Sequence, residues 1–315
     1  MSITARVYPK INLFLEIVRR RADGYHEIAT VMQTVGNVYD ELAVEPADTF
    51  SLTVRGAETR GAKTLSVETH RADLPTDDRN LVLRAARALR LAVRGANVIG
   101  GARFTLTKNI PTGAGLGGGS ADAAAALQLC AQLWRLDIAP AEMSAVAATV
   151  GSDVPFFLTA ATAPVALATG RGEIITPIAA DCSSPTADCP PPTAYCNPLP
   201  CNLILPPWSS ATGAAYRALS AADFDRHPIT DFLPIWATGD AAKILAASFN
   251  VFARSFFQRE KRAARLAAFL AAAGFPAQLS GSGAAMWMPQ IGAAARAELQ
   301  RRLNAAPELR GTRIV

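Results

Sequence analysis

Near the start of the chain, apolar positions come in short alternating runs; farther on they recur at helical spacing. Residues 4–18 alternate and then run apolar, which predicts a strand, and residues 27–35, 41–44 and 50–54 predict three more. Arginine, aspartate and glycine at 20–24 mark a turn. Leucine, alanine and valine recur at helical spacing over 80–95, so a helix is expected there. A short strand at 103–107 leads to a glycine-rich turn at 111–119, and an alanine- and leucine-rich helix follows over 120–135. Residues 140–150 predict another helix, and 151–158 a buried turn leading into a strand. Beyond residue 200 the pattern gives a strand at 202–205 and helices at 242–256 and 261–273. Two short apolar segments, 277–279 and 285–288, flank a second glycine turn at 280–283. No internal repeat is present. Strands and helices mix without βαβ alternation, so the expected fold class is α+β.

Length and composition narrow the picture. With 315 residues, 50% of them hydrophobic, the chain suits two domains better than one. They are expected at 1–170 and 171–315. A stretch at 181–200 with six prolines and three of the five cysteines, a fourth following at Cys201, reads as a loop near the join. Those cysteines form no C-x-x-C pair, so zinc is not expected. The net charge of +5, from 31 basic and 26 acidic residues, suits an acidic small molecule and gives no support for nucleic acid. No apolar run reaches the roughly 18–20 residues of a membrane helix. Residues 145–170 come nearest, and Asp153 and two prolines interrupt them. Lys10 and Asn12 interrupt the apolar stretch of the first 20 residues, with no small-residue cleavage site after it, so a cytoplasmic protein is expected. The oligomeric state stays open.

The strongest chemical signal is the turn. Five of the thirteen residues at 108–120 are glycine. Glycine loses much backbone entropy on ordering, and close approach of a polyanion to bare N–H groups is a reason for such density. The turn opens a helix, whose first N–H groups and partial positive charge seat phosphate. No G-K-[ST] exists, so this is no P-loop. The spacing Gly113, Gly115, Gly118 does match a dinucleotide fingerprint. However, Asp137, the acidic candidate about 20 residues on, follows a helix-like stretch rather than a strand. An oxidoreductase is therefore the weaker reading. A nucleotide sensor or RNA-binding protein is weaker still.

Proline ahead of the glycines and small residues behind them, Pro111…Gly115-Leu116-Gly117-Gly118-Gly119-Ser120-Ala121, resemble the signature of the galactokinase–homoserine kinase–mevalonate kinase–phosphomevalonate kinase (GHMP) superfamily. Three further blocks narrow the resemblance: Pro9-Lys10-Ile11-Asn12 with Arg21-Ala22-Asp23-Gly24-Tyr25-His26, Gly151-Ser152-Asp153-Val154-Pro155, and Ser280-Gly281-Ser282-Gly283. With them the chain is similar to the 4-diphosphocytidyl-2-C-methyl-D-erythritol kinases. The resemblance implies a two-domain fold, an N-terminal ribosomal-protein-S5-like domain and a second α+β domain, with the active site between them. It implies transfer of the γ-phosphate of ATP, carrying Mg²⁺, to the 2-hydroxyl of a cytidine diphosphate substrate.

The resemblance also implies roles. Lys10 and Asp153 match the catalytic pair, with the carboxylate as general base and the ammonium supporting charge. Pro111, Thr112, Gly113, Ala114, Gly115, Leu116, Gly117, Gly118, Gly119, Ser120 and Ala121 match the ATP-binding turn, and Asn80 and Lys108 the adenine side. Asn12 matches a position beside the transferred phosphate. Tyr25 and His26 match the cytidine turn, and Thr212 and Tyr216 a segment that contacts the substrate and covers the cytosine. No separate metal site is expected; Ser120 is a possible neighbour of the Mg²⁺. Two departures stand out: the long 181–196 stretch, and Val251 after Asn250, where the family often has an acidic residue.

Overall fold

In this computed structural model the described residues are 2–56, 74–93, 100–178, 198–224 and 227–315. The strands are β1 (Ile3–Val7), β2 (Lys10–Arg20), β3 (His26–Thr34), β4 (Asp40–Ala47), β5 (Ser51–Gly56), β6 (Gly101–Lys108), β7 (Val165–Gly170), β8 (Ile174–Pro177), β9 (Cys201–Leu205), β10 (Gln278–Leu279), β11 (Met286–Pro289) and β12 (Arg313–Ile314). The helices are α1 (Leu81–Ala92), α2 (Gly118–Leu133), α3 (Pro140–Val150), α4 (Val154–Thr159), α5 (Thr212–Arg217), α6 (Ile229–Ala237), α7 (Ala241–Ala247), α8 (Phe252–Arg259), α9 (Lys261–Ala272) and α10 (Ala293–Ala305). None of them is long and apolar enough to cross a membrane. Of the cysteine- and proline-rich stretch expected as a loop, 181–197 lies outside the described residues. Cys130 and Cys201 are buried free thiols, and burial pushes both up to about 12.

Backbone packing groups the chain into two compact units, neither continuous in sequence. One comprises Met1–Pro9, Val38–Thr112 and Gly117–Thr162; the other comprises Lys10–Asn37, Gly113–Leu116 and Ala163–Val315. A single cut near residue 170 thus follows sequence order rather than packing.

The first unit carries a sheet of order β1-β4-β6-β5, antiparallel except for the parallel pair β5–β6. Helix α2 packs on β1 and β4 and against α1, α3 and α4. Its run of buried alanines allows close approach on several sides at once, since small side chains keep neighbouring backbones near. Residues 151–158, expected as a buried turn leading into a strand, instead hold α4, and the strand, β7, begins at Val165. Pro155 lies in the first turn of α4, where its missing N–H costs no helical hydrogen bond.

The second unit holds an antiparallel sheet, β2-β3-β7-β8, and a second one, β10-β11-β9-β12. Its core joins Leu15, Ile17 and Ile28 to Phe252, Phe256, Leu266, Leu270, Met286 and Leu303. The strand expected over 4–18 is two strands, because Pro9 lacks the N–H a ladder needs. The helix expected over 242–256 is also two. Leu15 N donates to Phe249 O (2.8 Å) and Val251 N to Leu15 O (2.9 Å), so this backbone serves β2 as a bridge and cannot continue a helix.

Within the first unit, one buried cluster joins sheet and helix. Lys108, at the end of β6, donates to Asp40 and to Asp122 Oδ2 (2.7 Å) in the second turn of α2. Asp40 Oδ1 also accepts from Ile110 N (2.8 Å), which fixes the chain entering the glycine turn. Two carboxylates face one ammonium, and Asp122 Oδ1 has no hydrogen-bond partner among the described residues. Burial pushes Asp122 up to about 7; Lys108 opposes the rise and Asp40 adds to it. For Lys108, desolvation alone would lower its value, but the two aspartates outweigh it and raise it.

A carboxyl whose folded value lies above its unfolded 3.8 binds more protons in the native state. Its stabilising contribution is complete below about pH 4 and is lost as the pH rises through about 7. Asp122→Asn is expected to flatten the decline in melting temperature between about pH 4 and pH 7. Thermal denaturation across that range measures it, and an unaltered slope in the variant would show Asp122 ionised throughout.

Candidate active site

The glycine turn is held by its carbonyls. Ser210 N donates to Gly113 O (2.7 Å), Ala285 N to Ala114 O (3.0 Å), Ser280 Oγ to Gly115 O (3.1 Å) and Lys10 N to Leu116 O (3.0 Å). All four donors belong to the second unit, as do residues Gly113–Leu116. In a planar trans peptide the C=O of one residue and the N–H of the next point in opposite directions. Fixing these carbonyls onto protein therefore turns the N–H groups of Ala114, Gly115 and Leu116 the other way. Gly113, Gly115 and Gly117 alternate along the turn with φ of +64°, +76° and +68°. Alternation of left-handed residues with ordinary ones is how successive N–H groups form an anion-binding concavity.

Gly115 is also sterically required. A Cβ there would collide with the Ser280 carbonyl oxygen and lie 3.0 Å from Gly283 N. A Cβ on Gly281 would lie 2.8 Å from Gly115 O. The two glycine turns thus meet backbone to backbone. Asn250 holds the second one: its Nδ2 donates to Leu279 O and Gly281 O, each at 2.9 Å, and its Oδ1 accepts from Phe252 N. The sequence drew notice to Asn250 only for the valine after it.

Helix α2 starts two residues earlier than its composition suggests, at Gly118. Its N-cap Gly117 provides no side-chain cap, and no acidic residue lies in the first turn. The orphan N–H groups and the positive end of the helix are therefore not offset by a local side chain. The Gly151-Ser152-Asp153 block lies beside this helix start: a Cβ on Gly151 would be 3.9 Å from Ser120 Oγ. Asp153 occupies the N-cap position of α4, yet its carboxylate makes no capping hydrogen bond, and the residue is half-buried. A simple capping role does not account for it.

Lys10 and Asn12 stand at the start of β2, both buried. Lys10 Nζ donates to Asn12 Oδ1 (2.6 Å), and Asn12 Nδ2 donates to Thr30 Oγ1 (2.8 Å) on the neighbouring strand. Asn12 O accepts from Trp287 Nε1 (3.0 Å), which ties β2 to β11. Alternation in the sequence exposed the charged Lys10 and the polar Asn12 in an apolar run; Thr30 left no such signal, because threonine is an ordinary strand residue.

The R-x-D-G-Y-H block is a local turn held by its own side chains. Asp23 Oδ1 accepts from Tyr25 N (3.0 Å), Arg21 Nε donates to Asp23 Oδ2 (3.0 Å), and Gly24 takes φ +85°. Its two aromatic members diverge. His26 stacks on Tyr216 with ring centroids 5.4 Å apart and meets the edge of Phe224 at 5.6 Å. Tyr25 is 55% exposed, with the Arg171 guanidinium 5.1 Å from its ring centre. Burial, and then the charge of Arg20, lowers the His26 value below the usual imidazole range, which favours the neutral ring. Thr212 opens α5, and its hydroxyl lies 3.0 Å from Ser282 Oγ of the second glycine turn. Sequence reasoning named Ser282 only as part of that turn.

Asn80 caps α1: Oδ1 accepts from Val82 N (3.0 Å) and Nδ2 donates to Pro75 O (2.8 Å). The Lys108 ammonium is committed to Asp40 and Asp122, and a Cβ on Gly118 would lie 3.1 Å from it. Both side chains are thus engaged within the first unit, next to the start of α1 and under the start of α2.

Comparison with known proteins bears on the same residues. The family described as GHMP kinases N terminal domain matches residues 80–161. A 4-diphosphocytidyl-2-C-methyl-D-erythritol kinase of Salinibacter ruber is 43% identical over 175 residues, 56% of this chain and 54% of the relative. A protein of the same name from Pelotomaculum thermopropionicum is 40% identical over 220 residues, 69% of this chain and 64% of the relative. The chain spans about half the length of most of the curated relatives it matches. Among solved structures, a 4-(cytidine 5'-diphospho)-2C-methyl-D-erythritol kinase superposes with a TM-score of 0.68 at 29% identity, covering 96% of both chains. A mevalonate kinase of L. major, at 13% identity and a TM-score of 0.64, shares the fold. The family match begins at the residue that caps α1 and runs past Asp153, so over residues 80–161 the chain is similar to the N-terminal domain of the GHMP kinases, and its α+β fold is the one those kinase structures share.

Proposed function

We propose that the protein transfers the γ-phosphate of ATP to the 2-hydroxyl of 4-diphosphocytidyl-2-C-methyl-D-erythritol, in the cytoplasm, as a step of the non-mevalonate route to isoprenoid precursors. One observation carries the phosphate-binding half of this reading: the carbonyls of Gly113, Ala114, Gly115 and Leu116 are all tied to protein, so the intervening N–H groups face away from those ties. Backbone donors so directed, followed by an uncapped helix start, suit a triphosphate. The residues present fit that group, and Gly115 could carry no side chain in its place. When bound, ATP would supply the transferable phosphoryl group, and Mg²⁺ accompanying it would offset the phosphate charge, with Ser120 the side chain placed to neighbour it.

The chain's own groups have separate tasks. Asp153 accepts the proton of the attacking hydroxyl as its oxygen bonds to the γ-phosphorus and the bond to the β–γ bridging oxygen breaks. Lys10 offers positive charge to the oxygens that gain negative character, and Asn12 acts beside it. Neutral His26 can both donate to and accept from the amide edge of a cytosine, and Tyr25, Thr212 and Tyr216 complete the pyrimidine side. Asn80 and Lys108 shape the adenine side by holding the starts of α1 and α2.

The direct test incubates purified protein with ATP, Mg²⁺ and a panel of alcohols that includes homoserine, mevalonate and the cytidyl-methylerythritol. ADP is expected with the last alone; ADP with another alcohol, or with none, overturns the substrate reading. Asp153→Asn is expected to lower turnover by about 10²–10⁴-fold while calorimetric ATP affinity stays near wild type. Near-wild-type turnover would remove Asp153 as the base. Gly115→Ala is expected to abolish ATP binding by calorimetry with the circular dichroism spectrum retained. Intact affinity would place the nucleotide elsewhere. His26→Ala is expected to raise KM for the cytidyl substrate by at least about tenfold and leave KM for ATP unchanged, since a site built for hydrogen bonds discriminates through them. An equal loss for both ligands would assign His26 to the fold instead.

A further inference from the structure

We infer that Thr30 is a positioning residue: it sets the direction of the Asn12 amide and thereby holds the Lys10 ammonium in place for phosphoryl transfer. This rests on the role proposed for Lys10 above.

Lys10, Asn12 and Thr30 are 4%, 4% and 1% exposed, so water cannot readily substitute for the bonds they make. Thr30 Oγ1 lies 2.6 Å from Phe14 O. A carbonyl oxygen can only accept, so the single hydroxyl hydrogen of Thr30 is spent there. Toward Asn12 the same hydroxyl can then only accept. The Asn12 atom 2.8 Å away must therefore be the amide NH₂. With its nitrogen so placed, the amide presents Oδ1 to Lys10, at 2.6 Å from Nζ. A flipped amide would set NH₂ donors against an ammonium that itself has only donors. The polarity of the chain Phe14 O, Thr30, Asn12, Lys10 thus runs one way, and its origin is a backbone carbonyl.

The strand pairing makes this carbonyl available. Asn12 pairs with Met32 and Phe14 with Val31, so Leu13 is an extra residue and the ladder is irregular at this point. A bulge of this kind disrupts ladder bonds locally and re-aims neighbouring groups. Here Phe14 O takes its hydrogen bond from a side chain of β3. The Asn12 backbone is fixed independently through Trp287 Nε1, so only the amide rotation is left for Thr30 to decide.

Valine at position 30 would match the shape of threonine and the strand preference of the site while removing the hydroxyl. If Thr30 served packing alone, Thr30→Val would be nearly silent. The positioning role predicts otherwise. In Thr30→Val, kcat with ATP, Mg²⁺ and the cytidyl-methylerythritol is expected to fall about 10–100-fold, while both KM values stay within about threefold. Thr30→Ser, which keeps the hydroxyl, is expected to restore kcat to near wild type. A readout independent of turnover is the ¹⁵N-detected ammonium signal of Lys10. Slow proton exchange is expected in wild type and Thr30→Ser and lost in Thr30→Val.

Wild-type kcat and an unchanged Lys10 signal in Thr30→Val would overturn the inference. So would equal losses in Thr30→Val and Thr30→Ser accompanied by equal falls in melting temperature, since that pattern belongs to packing. Lys10→Ala separates the two levels of the reading. If Lys10→Ala retains full turnover, the catalytic role of Lys10 fails, whereas the ammonium signal in the Thr30 variants still decides whether Thr30 positions it.

Discussion

Four backbone carbonyls in a row, from Gly113 to Leu116, are each bonded to a donor from the second unit, and the rest of the site follows from that constraint. A peptide plane cannot present its C=O and the following N–H to the same side. Once the carbonyls are fixed by Ser210, Ala285, Ser280 and Lys10, the direction of the amides is decided before any ligand arrives. Glycine is required because the turn alternates through left-handed conformations and because Gly115 lies against the backbone of the second glycine turn. The donors come from residues as far apart as 10 and 285, so the turn is shaped by the tertiary fold rather than by its own sequence.

The same logic extends outward in layers. Asn250 fixes the Ser280-Gly281-Ser282-Gly283 turn by bonding two of the carbonyls around it. The backbone at Phe249 and Val251 bonds Leu15, which divides what would otherwise be one helix into α7 and α8. In the first unit, Asp40 holds Ile110 N at the entry to the turn and shares Lys108 with Asp122 of α2. Burying two carboxylates with one lysine is costly unless a proton is retained, hence the raised value of Asp122.

Small polar residues in β2 and β3 do comparable work near Lys10. A bulge at Leu13, a threonine hydroxyl and an asparagine amide form one directed chain inside an otherwise apolar strand pair. Hydrogen-bond polarity gives that chain a single orientation that apolar packing could not impose.

Much of this was legible in the residues themselves. The α+β class, the strands near residues 27–35 and 103–107 and the helix after the glycine turn follow from period, propensity and composition. These are local properties, set by each residue's own backbone preferences and near neighbours. The R-x-D-G-Y-H turn is local too: Asp23, Gly24 and Arg21 make it among themselves. What the tertiary structure alone decided lies where distant segments share backbone groups. The break at Phe249 and Asn250, the interleaving of the chain into two units, the divergence of Tyr25 from His26 and the commitment of Lys108 to Asp40 and Asp122 all depend on partners tens to hundreds of residues away. No periodicity records them, because a hydrogen bond between remote segments leaves the hydrophobic pattern of each segment unchanged.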